Sequence, residues 1–258
     1  MQKKSYFCSD FGKIMEKISK AQIKLVRSLQ QKKFRDELGL FVAEGDKCVS
    51  ELTKSFELVH LYREGENASR TEIEQMSGLR TPQGVVGVFK KRPIGDWKLK
   101  IEDLIVALDG IQDPGNLGTI IRTCDWFGVH DIVCSLDTAD CYNPKVVQAT
   151  MGALARVRVH YVDLPKWLKE QQCPIIGTLL EGKDMYESLS TFNFQLSTII
   201  VMGNEGNGIS QEVRKLITHP IRIPSYPKNA ETSESLNVSI ATAIVLAEFR
   251  RSIGSTPA

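Results

Sequence analysis

The sequence predicts an α/β protein, a parallel sheet with helices on both faces, preceded by a small α/β unit. Three observations lead there. From residue 99 onward, short apolar runs alternate with segments of helical periodicity. Two of the runs, LIVAL and TIIVM, are apolar without interruption, as strands buried on both faces require. Glycine-rich or polar turns follow several runs, at the carboxyl edge where doubly wound sheets bind ligands.

The elements follow in order. In SKAQIKLVRSLQQKKFR, residues 19–35, Ser19 is a candidate N-cap, and Ile18, Gln22, Leu25, Val26 and Leu29 recur at helical spacing. One helix is expected there. LFVAEG (strand), DKCVSELTKS (helix), LVHLYR (strand), TEIEQMSG (short helix) and GVVGVFKK (strand) complete a first domain over 1–92. RPIGDWK mixes proline, glycine and charge without periodicity and places a linker at 93–98. The second domain then covers 99–258, with strands near 103–109, 131–135, 158–162, 174–180, 198–203 and 220–224. Helices are expected near 116–128, 144–156, 164–171, 209–218 and 236–252.

Composition narrows the function classes. The 258 residues are 42% hydrophobic and 25% charged, ordinary for a soluble chain with a sizeable core. No apolar run reaches the roughly 18–20 residues of a membrane helix. The start, MQKKSYFCSDFGK, lacks the apolar stretch of a secretory signal, so a cytoplasmic protein with no membrane partner is expected. The six cysteines, Cys8, Cys48, Cys124, Cys134, Cys141 and Cys173, show no zinc-ligand spacing, and no metal site is expected. Cys124, Cys134 and Cys173 lie in apolar contexts and read as buried small hydrophobes.

Net charge is only +2, yet residues 1–36 hold ten Lys/Arg against three acids. Lys20, Lys24, Arg27, Lys32, Lys33 and Arg35 belong to that stretch. A solvated helix face is the plain reading, and a footprint for a polyanion is the sharper one.

Three clusters carry candidate chemistry. In GIQDPGNLGTIIRTCDWFG, residues 110–128, Asn116 stands where a helix N-cap would, and Arg122 lies six residues later on that helix. The turn has neither the lysine of a P-loop nor G-x-G-x-x-G, which argues against a dinucleotide oxidoreductase. An arginine fork can instead clamp a phosphate. In VMGNEGNGIS, residues 201–210, glycines surround Glu205, which either caps the helix that follows or meets a hydroxyl or cation. IPSYPKNAETSESLNVSIATAIVLAEF, residues 223–249, opens with a polar loop too long for a simple connector, then enters a helix carrying Ser235, Asn237 and Ser239.

In this order, DPGNLGTIIRTCDWFG, VMGNEGNGIS and IRIPSYPKNAETSESLNVSIATAIVLAEF resemble the three motifs of the SpoU (TrmH-type) RNA ribose 2′-O-methyltransferases, of the SPOUT superfamily. GLFVAEGDKCVSEL and TPQGVVGVF resemble, more weakly, that family's ribosomal-protein-like substrate-binding domain. The resemblance implies a C-terminal deep trefoil knot, one of the rare exceptions to unknotted chains. It implies S-adenosyl-L-methionine as cofactor, RNA as partner and a homodimer, with no DNA expected.

By the same resemblance Asn116, Arg122, Glu205 and Asn237 are the catalytic set. Thr178, Leu180, Gly203, Asn204, Glu205, Gly206, Ile223, Ser235 and Leu236 would contact the cofactor. The target implied is a guanosine 2′-OH in large-subunit ribosomal RNA. The alternatives are transfer RNA and a non-catalytic RNA-binding protein. The resemblance would make Arg122 a base. A guanidinium with a pKa above about 12 is a poor one, so phosphate binding or oxyanion stabilisation is the role expected of it.

Overall fold

A computed structural model describes residues 18–92, 104–192, 197–227 and 235–254. The expected linker at 93–98 and the basic residues before Ile18 lie outside the described residues.

The N-terminal unit is built on a small antiparallel sheet. Helix α1 (Lys20–Ser28) is closed at its start by a capping box. The Ser19 hydroxyl accepts from the Gln22 N–H while the Gln22 side chain accepts from the Ser19 N–H. The single helix expected over 19–35 is in fact two, since α2 runs Lys32–Leu38 after a break. Arg35 causes the break to hold. Its Nη1 donates to the last carbonyls of the α1 turn, Leu29 O at 2.9 Å and Gln30 O at 3.0 Å. Those carbonyls would otherwise be orphaned at a helix end.

Strands β1 (Leu40–Glu44), β2 (Leu58–Arg63) and β3 (Val85–Lys90) follow in the sheet order β1-β3-β2. Helices α3 (Asp46–Leu52) and α4 (Arg70–Met76) complete this unit.

The second sheet is parallel throughout. Its strands are β4 (Leu104–Asp109), β5 (Asp131–Ser135), β6 (Arg158–Val162), β7 (Ile175–Asp184), β8 (Thr198–Gly203) and β9 (His219–Arg222), ordered β6-β5-β4-β8-β7-β9. Every residue of β4 and β8 is buried, as their unbroken apolar sequences require. The helices are α5 (Pro114–Trp126), α6 (Pro144–Thr150), α7 (Leu164–Lys169), α8 (Met185–Ser190), α9 (Gln211–Arg214) and α10 (Val238–Gly254).

Three departures from the expected elements have local causes. The helix expected over 144–156 stops at Thr150, because Met151 and Gly152 take positive φ of 52° and 91°. A Cβ on Gly152 would stand 2.5 Å from the Glu51 Cβ, so the chain turns there against the N-terminal unit. The helix expected over 209–218 shrinks to α9. Strand β7 runs on to Asp184, with its pairing to β9 shifting between Thr178 and Lys183, and leads into the unanticipated α8 capped by Asp184.

One hydrophobic core runs through both units, from Phe41, Leu52 and Phe89 to Leu108, Ile120 and Leu246. Tyr142 bridges them, its ring centroid 4.8 Å from that of Phe41. Arg35 ties the same boundary. Only 1% exposed, it donates to Asp140 from Nε at 3.1 Å and Nη2 at 2.7 Å. Among the described residues no helix is long and apolar enough to cross a membrane.

Candidate active site

The site begins where the strand order reverses. From β4 the chain moves outward to β5 and β6, while β8 returns to pair on the other side of β4. At such a switch point the loops leaving two adjacent parallel strands diverge and leave a crevice at the carboxyl edge. Asp109 and Gly203, the last residues of β4 and β8, are register partners there.

The loop after β4 leads into α5. Asp113 is its N-cap, accepting from the Asn116 N–H at 2.8 Å, and Pro114 occupies the first turn. The expectation that Asn116 caps this helix is therefore corrected. With Asp113 bonding its backbone, the Asn116 side chain is left for other work. The D-P pair was the available signal, since proline suits a first helical position directly after a cap. Gly118 has a packing role. A Cβ there would lie 2.5 Å from that of Ala149, so it serves close packing of α5 on α6.

The loop after β8 is a tight turn built by Asn204. Its Nδ2 donates to Gly110 O at 2.7 Å, and its Oδ1 accepts from Gly206 N at 2.8 Å and Asn207 N at 3.1 Å. The side chain of Asn204 is thus committed to the turn, and its backbone N–H and C=O pair with Gly208 across it. Gly203 is required because a Cβ there would collide with the backbone of Gly208 and Ile209. Glu205 does not cap α9. Asp109 Oδ2 instead accepts from Ser210 N at 2.7 Å, holding the start of that helix.

The two turns and the third cluster meet through side chains. Asn116 Nδ2 donates to Glu205 Oε1 at 2.5 Å, and Asn237 Nδ2 donates to Asn116 Oδ1 at 2.9 Å. Asn237 Oδ1 then accepts from Ser239 N at 3.0 Å and Ser239 Oγ at 2.6 Å, so Asn237 also caps α10. Backbone N–H groups only donate and an ionised carboxylate only accepts. Both ends of the chain are therefore set, and each amide between them has one orientation. Three of the four expected catalytic residues are joined in this way.

Arg122 stands apart. It is exposed on α5 and makes no hydrogen bond or ion pair with any described residue. A guanidinium with free donors is open to an external anion.

The remaining expected residues lie on the same edge. Thr178 is half-buried in β7, its hydroxyl donating to Val201 O at 3.4 Å. Leu180 projects from the β7 irregularity at 73% exposure, Ile223 is half-buried after β9, and Ser235 and Leu236 are exposed ahead of α10. Gly206 is open to solvent on the β8 turn.

Of the basic set, Lys20, Lys24, Arg27, Lys32 and Lys33 are exposed, with Lys32 paired to Asp36. Arg35 is not available to a polyanion. It is buried in the Asp140 ion pair, which corrects its place in that set. Cys124 and Cys134 are buried as expected, while Cys173 is only half-buried.

The profile of the SpoU rRNA methylase family matches residues 103–247, the span that carries all three clusters. The chain belongs to the SpoU rRNA methylase family. An MRM3-like substrate-binding domain matches residues 20–67 of the same SpoU chain. The SpoU chain is 27% identical over 256 residues to the Bacillus subtilis 23S rRNA (guanosine(2553)-2′-O)-methyltransferase RlmP, covering 92% of this chain and 99% of that one. A TrmH-family protein from Porphyromonas gingivalis superposes with a TM-score of 0.81 at 37% identity, covering 92% and 99% of the two chains. The AdoMet-bound rRNA methyltransferase from Sinorhizobium meliloti superposes at 0.78 with 32% identity, covering 90% and 95%.

Proposed function

We propose that this protein is an RNA ribose 2′-O-methyltransferase that uses S-adenosyl-L-methionine and acts on a guanosine of large-subunit ribosomal RNA. The observation that carries the reading is the side-chain relay Glu205–Asn116–Asn237, which joins all three motifs at the sheet's switch point.

The residues present fit the cofactor. Gly206 is open, and Leu180 and Leu236 expose apolar surface at 73% and 47% that an aromatic ring can cover, beside the turn that Gly203 begins. Thr178, Ile223, Ser235 and the rim of the turn that Asn204 shapes, at Glu205 and Gly206, complete the set that would hold it. When bound, its sulfonium supplies an activated methyl group to a ribose 2′-oxygen.

The chain's own residues then align and stabilise. Arg122 donates from its guanidinium fork to the phosphate beside the target ribose and offsets charge developing on the 2′-oxygen. Asn116 holds the carboxylate of Glu205 and the amide of Asn237 in one geometry, which preserves the alignment that in-line transfer needs. The exposed Lys20, Lys24 and Arg27, spaced along one face of α1, supply sequence-independent phosphate affinity.

Two further parts belong to the same proposal. The chain works as a homodimer in the cytoplasm, with exposed apolar residues on α5 and α10, Trp126 at 85% and Ile240 at 52%, available for pairing. The domain division at 93–98 separates RNA capture from chemistry, and the C-terminal segment forms the knot.

Transfer of radiolabelled methyl to separated ribosomal and transfer RNAs, followed by mapping, tests the reading. Label on a ribose 2′-oxygen of large-subunit RNA is expected. Label on a base, or none, overturns it.

A further inference from the structure

A cavity of about 260 Å³ opens between the two units, lined by Gln30, Glu44 and Gly78 on one side and Pro114, Asn143 and Lys145 on the other. Water occupies about 30 Å³ in the liquid, so the space suits a planar ring rather than one solvent molecule. Pro114 is also the first residue of α5, so the cavity wall continues into the turn that carries Asn116.

Its polar groups are held in place. Glu44, 4% exposed, accepts from Gly78 N at 2.8 Å and from the Ser77 hydroxyl. A carboxylate offers about four acceptor positions, so two remain. Gln30 is fixed through its carbonyl by Arg35 at 3.0 Å, and its side-chain Nε2 is buried without a hydrogen-bond partner. An orphaned buried donor is rare in a folded chain, and an acceptor brought into the cavity can satisfy it once the amide turns toward that acceptor. Lys145 is exposed at the rim.

An unpaired donor beside a carboxylate with free lone pairs is a selective pattern. The pairing edge of guanine presents a carbonyl oxygen followed by two N–H donors. Adenine, cytosine and uracil do not offer two adjacent N–H donors to a carboxylate. Proteins read RNA bases on such edges when the nucleotide is unstacked.

We propose that this cavity takes the guanine base of an unstacked nucleotide in the RNA substrate. Glu44 accepts from N1–H and N2–H, Gln30 donates to O6, and Lys145 meets the phosphate. The inference rests on the methyltransferase reading above and adds a base-recognition site to it.

The full chain is titrated with guanosine, inosine and adenosine 5′-monophosphates by equilibrium dialysis. Inosine keeps O6 and N1–H but lacks the N2 amino group. Guanosine monophosphate is expected to bind at least tenfold tighter than either comparator. Gln30→Ala is the first variant, because its Nε2 makes no hydrogen bond that folding could lose. It should weaken guanosine monophosphate tenfold while leaving S-adenosyl-L-homocysteine affinity unchanged. Equal binding of the three nucleotides, no binding, or an unaffected variant overturns the proposal. Methyl transfer to ribosomal RNA without guanine selectivity overturns this pocket alone. Guanine-selective binding without methyl transfer supports the pocket and overturns the enzymatic reading.

Discussion

Asn116 and Glu205, 89 positions apart in sequence, are joined by a hydrogen bond of 2.5 Å across the reversal of strand order. The bond has one possible direction, because the carboxylate accepts and the Asn116 amide donates. Asn116→Asp replaces that donor with a second carboxylate facing the first. Like charges at such range push one carboxyl toward protonation and the pair apart. Methyl transfer is expected to fall by about 10²-fold, the scale of a small misplacement at a reacting centre. Near-normal turnover of the variant would show that the relay does not position the site.

Asn237 has two jobs that one substitution separates. Asn237→Asp keeps an acceptor for the Ser239 N–H and is as good a cap for α10, but it can no longer donate to Asn116. Thermal stability should therefore stay within about 0.5 kcal/mol of the parent, as for substitutions away from packing features, while activity drops. A loss of stability equal to that of Asn237→Ala would mean that capping is its whole role.

Arg122→Lys keeps the charge and loses the planar fork. Turnover is expected to fall by roughly 10²–10³-fold, the usual cost of removing one preorganised donor. Cofactor affinity, read by S-adenosyl-L-homocysteine titration, should not change. If the lysine variant retains near-normal activity, the arginine-centred role is wrong.

Arg35→Ala leaves Asp140 without its partner at the boundary of the two units and frees the carbonyls of Leu29 and Gln30. Breaking a buried ion pair from one side costs about 3–5 kcal/mol. An unfolding free energy lowered by that amount, read from urea titration, is expected. Affinity for RNA lost with no change in stability would instead return Arg35 to the phosphate-binding set.

Asp131 carries an acid-dependent contribution. Burial by itself raises its carboxyl, but donation from His160 Nε2 at 2.8 Å and from Arg158 outweighs it and holds the group below the usual carboxylate range. A depressed folded-state value gives stability that is present above the unfolded value of about 3.9 and is lost as pH falls through the folded one. Asp131→Asn should therefore melt lower than the parent at pH 7, with the gap closing below about pH 4. A gap constant over that range would show that the charge contributes nothing.

The class of this fold was determined by the sequence alone, because its signals are local. LIVAL and TIIVM became the fully buried β4 and β8, and Ser19 with Gln22 closed the start of α1 as a capping box. The three clusters were legible too, since glycine and asparagine at the end of an apolar run record a turn whatever lies beyond it. Tertiary structure decided which side chains answer one another. Nothing near Arg35 reveals that Asp140 lies 105 positions away as its partner, so the helix expected through residue 35 breaks and a presumed phosphate ligand is buried. Nothing near Asn116 says that Asp113 frees its side chain for Glu205 and Asn237. A helix or strand is specified within a few residues, whereas a buried charge or amide must be satisfied by whatever group the packed sheet brings within 3 Å of it.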